Sequence, residues 1–156
     1  MVEVASCSPD ETYTIGKQIA GHLGGGSVVA LQGTLGSGKT CLAGGIAFGL
    51  GITEKLTSPT YTIINEYQIP SNLCSNNLLT AAESECTLYH IDVYRLNNDK
   101  DFNDLGGPEI INSNGISVIE WSDRISKSLP QNTIIVFLKI TGLSSRYISI
   151  QGLDRL

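Results

Sequence analysis

Apolar residues at Ile15, Ile19 and Leu23 recur every fourth position and predict a first helix. Ser8-Pro9-Asp10-Glu11 precedes them as a capping box, with Ser8 the N-cap and Pro9 in the first turn. Gly24-Gly25-Gly26 is expected to stop that helix. Ser27 to Gln32 is a short apolar, β-branched run that reads as a buried strand. After a glycine-rich loop, Leu42, Ile46 and Leu50 mark one face of a second helix from Lys39 to Leu50, with Gly51 placed to cap it. Beyond Gly51 the pattern turns to strands: Tyr61 to Ile69, Thr87 to Asp92 and Ile116 to Glu120. Pro70 to Cys86 is polar and aperiodic, an expected excursion loop, and Asn98 to Leu105 predicts a short helix before Gly106-Gly107. Thr133 to Thr141 and Arg146 to Gln151 are strands with only Gly142 to Ser145 between them, which predicts an antiparallel pair. The expectation is an α/β fold in one domain, residues 1–156, with a mostly parallel sheet and an antiparallel C-terminal tail.

Composition sharpens this reading in three ways. Twelve of the 17 glycines fall between Gly16 and Gly51, so the excess belongs to one region. A chain of 156 residues with 41% hydrophobic content and a net charge of −5 can bury a real core, and the charge argues against direct nucleic-acid binding. Cys7, Cys41, Cys74 and Cys86 include no pair at zinc-ligand spacing. With no apolar run of membrane-spanning length and no leader-like N-terminus, the expectation is a cytoplasmic protein with reduced thiols and no membrane contact.

The glycine-rich loop carries the chemistry. Gly33-Thr34-Leu35-Gly36-Ser37-Gly38-Lys39-Thr40 fits G-x-x-x-x-G-K-[ST], the phosphate-binding P-loop, between a predicted strand and a predicted helix. Glycines let the backbone curl so that successive N–H groups face phosphate oxygens. Lys39 brings a compact positive charge to the β- and γ-phosphates, the Thr40 hydroxyl suits Mg²⁺, and the helix start aims its dipole at the anion. A second acid is needed for the metal, and two strand-end candidates exist, Glu120 and Asp92. Thr57-Ser58-Pro59-Thr60 offers hydroxyls as a switch loop would, although alone it reads as a capped turn entering a strand. His90 has acid–base chemistry but alone reads as a structural strand residue, and Arg95 suits either phosphate or Asp92.

These pieces in this order, GTLGSGKT, TSPTYTIINEY, LYHIDVYRL, a short acidic helix ending DLG, VIEW and a later LP, resemble the TsaE family. The resemblance runs from about Thr12 to Pro130, and its composite of TSPTY, HIDVYRL and IEW is far more specific than the P-loop alone. It implies an ATP- and Mg²⁺-dependent ATPase of bacterial tRNA threonylcarbamoyladenosine biosynthesis, partnered by TsaB- and TsaD-like proteins. Contact with tRNA would then be indirect, which suits the acidic charge. By position, Gly36, Ser37, Gly38, Lys39, Thr40 and Cys41 would cradle the phosphates, with Thr40 and Glu120 on the metal and Glu120 favoured over Asp92 as direct ligand. Asp92 would sit near the attacking water or behind the metal, Thr57 and Thr60 would act as the switch, and Thr12 would lie near the adenine. Trp121 and Tyr94 would shape the site or the partner surface. Two departures from the family pattern stand out: the length of the stretch from Pro70 to Cys86, and Cys41 where a second Thr is common.

Three other functions compete with this one. A small-molecule kinase needs an arginine-bearing lid, and Arg95, Arg124, Arg146 and Arg155 include no pair at lid spacing. A GTPase needs Asn-Lys-x-Asp, and Asn97 to Asp101 has the composition without the order. A non-catalytic nucleotide sensor would use the same residues as the ATPase.

Overall fold

The computed structural model describes residues 1–70 and 86–156. The excursion expected from Pro70 to Cys86 lies outside them apart from its two ends, and so does Cys74. In chain order the elements are β1 (Val2–Ser6), α1 (Pro9–Ala20), β2 (Val28–Gln32), α2 (Lys39–Gly49), β3 (Ile64–Ile69) and β4 (Cys86–Asp92). There follow α3 (Asp99–Asp104), α4 (Gly107–Ile111), β5 (Ile116–Glu120), a 3-10 turn at Ser122–Ile125, β6 (Ile134–Ile140) and β7 (Arg146–Gln151). The described strands form one sheet in the order β1-β7-β6-β2-β5-β4-β3. The four inner strands, β6, β2, β5 and β4, run parallel, and every pairing outside them is antiparallel.

Alternation along the strands builds two cores. Val29 and Leu31 of β2 and Val118 of β5 pack on one face with Ile15, Ile19, Leu42 and Ile46 of α1 and α2. Val28, Ile91 and Ile119 face the other way, onto Phe102, Ile111 and Ile125 from α3, α4 and the 3-10 turn. Each such buried aliphatic contributes about 1.5–3 kcal/mol through removal from water. The result is three layers with the parallel strands in the middle, and all three parallel pairs bring their C-terminal ends to the same edge.

Helix α1 starts as expected, with Ser8 Oγ accepting from the Glu11 N–H at 3.1 Å and Glu11 returning to the Cys7 N–H at 2.7 Å. It ends at Gly21, a turn before the expected glycine triplet. The strand expected from Tyr61 begins only at Ile64, because Pro59 to Ile63 forms a turn closed by the Ile63 N–H on Pro59 O. Ile63 there adopts a left-handed φ of 69°, which breaks the extended run. Three elements carried no predicted counterpart, among them the 3-10 turn at Ser122–Ile125. β1 is an edge strand held by antiparallel pairing to β7, and α4 is five residues long. Among the described residues, no helix is long and apolar enough to cross a membrane.

Candidate functional site

The loop from Gly33 to Thr40 leaves the C-terminal end of β2 and becomes α2 at Lys39. All three of its glycines, Gly33, Gly36 and Gly38, take a positive φ. Gly38 caps α2 with φ 103°, and Gly33 has φ 140° with its α-carbon against Leu138 O, where a side chain would collide. The loop borders a cavity of about 280 Å³, lined by Gly36, Gly38, Lys39, Thr40 and Cys41 together with Ser58, Thr60, Asp92, Glu120 and Trp121. Leu35 completes the lining, so residues far apart in sequence meet around one small space.

Lys39 is 5% exposed, and its ammonium donates to Gly33 O at 2.8 Å and Thr34 O at 3.0 Å. It also sits 3.7 Å from the centre of the Trp121 ring, a cation–π contact that desolvation strengthens. Burial pulls its pKa below the usual 10.5, while Glu120, Asp92 and Asp123 pull the other way. Trp121 takes a left-handed φ of 62° immediately after β5, and that bend turns its ring onto the lysine. Tyr94 lies 4.8 Å from the Trp121 ring, centre to centre.

Glu120 and Asp92 end neighbouring parallel strands in direct register, β5 and β4. Their environments differ. Glu120 Oε2 accepts from the Thr40 hydroxyl at 3.0 Å, and Oε1 lies 2.8 Å from His90 Nε2. Both members of that second pair are buried, so the carboxylate is held in one orientation from beneath. Asp92 Oδ2 instead accepts from Ser58 at 3.2 Å and Thr60 at 3.0 Å, while Oδ1 accepts the Tyr94 N–H at 2.9 Å. The hydroxyl-bearing segment thus docks on Asp92 and the loop threonine on Glu120.

The other expected site residues have the following surroundings. Thr57 is exposed and does not line the cavity; its N–H meets the Tyr67 hydroxyl at 3.4 Å, and Ser58 takes the place beside Thr60. Thr12 is 2% exposed and shares a 2.7 Å hydrogen bond with Ser6 under the loop, with its hydroxyl also on Ser8 O. Ser37 is fully buried, and its Oγ has no hydrogen-bond partner among the described residues. Cys41 carries a free thiol that donates to Pro9 O at 3.3 Å, and burial raises its pKa. Arg95 stacks on Tyr61 at 4.4 Å and does not line the cavity.

Three residues that the sequence reading undervalued belong to this geometry. Ser58 was visible inside the hydroxyl-rich segment. His90 gains its meaning only from Glu120 across the strand pair, thirty residues away. Arg146 reaches the loop from β7 with no local signal to announce it.

A three-layer sheet with a glycine loop between its central strand and a following helix defines a P-loop NTPase-like α/β protein. The comparisons carry this to a family. The family described as "Threonylcarbamoyl adenosine biosynthesis protein TsaE" matches residues 6–148, and the chain belongs to it. A Treponema pallidum protein named tRNA threonylcarbamoyladenosine biosynthesis protein TsaE is 39% identical over 93% of this chain and 96% of its own. A Bacillus subtilis protein of the same name is 37% identical over 91% of this chain and 80% of its own. The crystal structure of Bacillus subtilis YdiB superposes with a TM-score of 0.73 at 32% identity, covering 96% of this chain and 83% of that one.

Proposed function

We propose that this protein is a Mg²⁺-dependent ATPase that acts with a TsaB–TsaD-type transferase complex in tRNA threonylcarbamoyladenosine biosynthesis. The observation that carries the reading is the Thr40–Glu120 contact beside Lys39, a hydroxyl and a carboxylate held 3.0 Å apart at the mouth of a phosphate loop. The donor set is hard oxygen only, which suits Mg²⁺ and its preference for few protein ligands plus phosphate and water. Thr40 and Glu120 would hold the ion. Once bound, Mg²⁺ would offset charge on the β- and γ-phosphate oxygens.

The chain's own groups divide the remaining work. Lys39 exchanges its two loop carbonyls for phosphate oxygens and supplies positive charge from a partly desolvated position. Asp92 aligns Ser58 and Thr60 at the cavity and accepts a hydrogen bond from the attacking water. His90 keeps Glu120 turned toward Thr40. No arginine lines the cavity among the described residues, so intrinsic turnover is slow and a partner completes the charge stabilisation. The −5 net charge favours contact with the modifying proteins and only indirect contact with tRNA. Such a protein would work in the cytoplasm.

Affinity for a TsaB–TsaD-type complex, measured with ATP, ADP and a non-hydrolysable ATP analogue, tests this reading against pure nucleotide sensing. Turnover-coupled action predicts cycling between bound and released states only with ATP. Identical behaviour with ATP and the analogue through repeated rounds would contradict it.

A further inference from the structure

The loop's carbonyls are divided between two cations. Lys39 holds Gly33 O and Thr34 O. Arg146, at the first position of β7, holds the next pair: Nη2 donates to Gly36 O at 3.0 Å and Nε to Ser37 O at 3.0 Å. Its remaining nitrogen, Nη1, donates to Ser145 O at 2.8 Å and Gly142 O at 3.2 Å. The guanidinium is therefore fixed by the β6–β7 turn before it meets the loop, and its planar fork needs no further ordering to span two carbonyls. The same hairpin supports the loop a second time, where Leu138 O of β6 lies against Gly33.

From this arrangement we infer that Arg146 is a positioning residue for phosphate binding, a clamp that holds the second half of the loop in its anion-accepting shape. This rests on the reading of the loop as a nucleotide site. A trans peptide points its C=O and N–H in opposite directions. Fixing Ser37 O on Arg146 turns the Gly38 N–H to the other side, and Gly38 lines the cavity. When Lys39 leaves Gly33 and Thr34 to meet a phosphate, the Arg146 bonds to Gly36 and Ser37 stay available, because they do not compete with the ligand. The loop then keeps half of its internal scaffold through the exchange.

The test uses the full-length protein and ADP as the probe, read by the fluorescence of Trp121, the sole tryptophan, at a temperature well below the melting point of every variant. Arg146→Ala should weaken ADP binding about tenfold to a hundredfold, the equivalent of losing a charge-assisted contact. Arg146→Lys should fall between, since an ammonium cannot span both carbonyls. Millimolar guanidinium, below denaturing levels, should restore much of the lost affinity to Arg146→Ala. An ADP dissociation constant within twofold of wild type would overturn the inference and leave the nucleotide reading intact. A loss of affinity that guanidinium leaves untouched would assign Arg146 to the hairpin alone and overturn it too. Absence of ADP binding by the wild-type protein would remove both readings.

Discussion

The Thr40 hydroxyl donates to Glu120 Oε2 across 3.0 Å, joining the last residue of the glycine loop to the last residue of β5, eighty positions later. That contact exists because β2 and β5 are parallel neighbours, with Leu31 in register with Glu120. Loop and acid are therefore delivered to the same edge of the sheet. Glu120→Gln keeps the side chain's shape and removes its charge. Turnover should drop by about a hundredfold or more, a loss of about 3 kcal/mol or more of charge stabilisation, with a higher Mg²⁺ requirement. ADP binding in a chelator should change little. A Mg²⁺ titration of phosphate release checks both statements.

Asp92 has a different neighbourhood and predicts a different phenotype. Its Oδ2 gathers Ser58 and Thr60, so Asp92→Asn should loosen that segment and remove an acceptor for the attacking water. The expected result is a fall in kcat of about 10²–10⁴-fold with a much smaller change in nucleotide affinity. Single-turnover kinetics with separate binding measurements distinguish the two effects. Equal losses in affinity and turnover would place Asp92 on the ligand instead.

Much of this arrangement is legible in the amino-acid sequence, and the limits have physical causes. The P-loop is readable because its glycines, lysine and threonine are contiguous and each is dictated by local backbone chemistry. Strands β2 and β5 are readable because burial on both faces makes them continuous apolar runs. By contrast, β1 reads as an ordinary polar N-terminus, since an edge strand carries only half a hydrophobic pattern and owes its existence to β7. The start of β3 was set by a left-handed Ile63, a conformation no residue-type preference predicts. Thr57 carries the same hydroxyl as Thr60 but is exposed and outside the cavity lining, and residue type alone does not say which of the two turns inward. Arg146 lies 109 residues from the Ser37 carbonyl it holds, and that pairing is a product of the fold alone.

The α1–α2 contact gives a stability prediction with a diagnostic sign. A side chain at Gly45 would collide with Tyr13 O, whereas one at Gly44 would meet only the Tyr13 ring edge at 3.4 Å. Helix propensity favours alanine over glycine by about 1 kcal/mol at either position. Gly44→Ala should therefore be neutral or stabilising. Gly45→Ala should destabilise by about 1–3 kcal/mol through overpacking, lowering the melting temperature by several degrees. Parallel thermal melts of the two variants separate close helix packing from propensity.

Lys39 gives a pH prediction whose two readouts move in opposite directions. Burial lowers its pKa in the folded protein below the 10.5 of an ordinary lysine. Between those two values the unfolded chain binds more protons than the folded one, so the ligand-free protein gains stability relative to Lys39→Met as pH rises. Over the same window the ammonium is lost and phosphate affinity falls. Thermal melts and ADP titrations across alkaline pH, each compared with Lys39→Met, test the pair.

The central claim is that this phosphate loop hydrolyses ATP, with Lys39 supplying the charge. The most direct test is release of labelled γ-phosphate from ATP with Mg²⁺ and TsaB- and TsaD-type partners, comparing wild type with Lys39→Ala. The account predicts slow release by the wild type alone, faster release with the partners, and none above background for Lys39→Ala under either condition. Equal release by wild type and Lys39→Ala would contradict it.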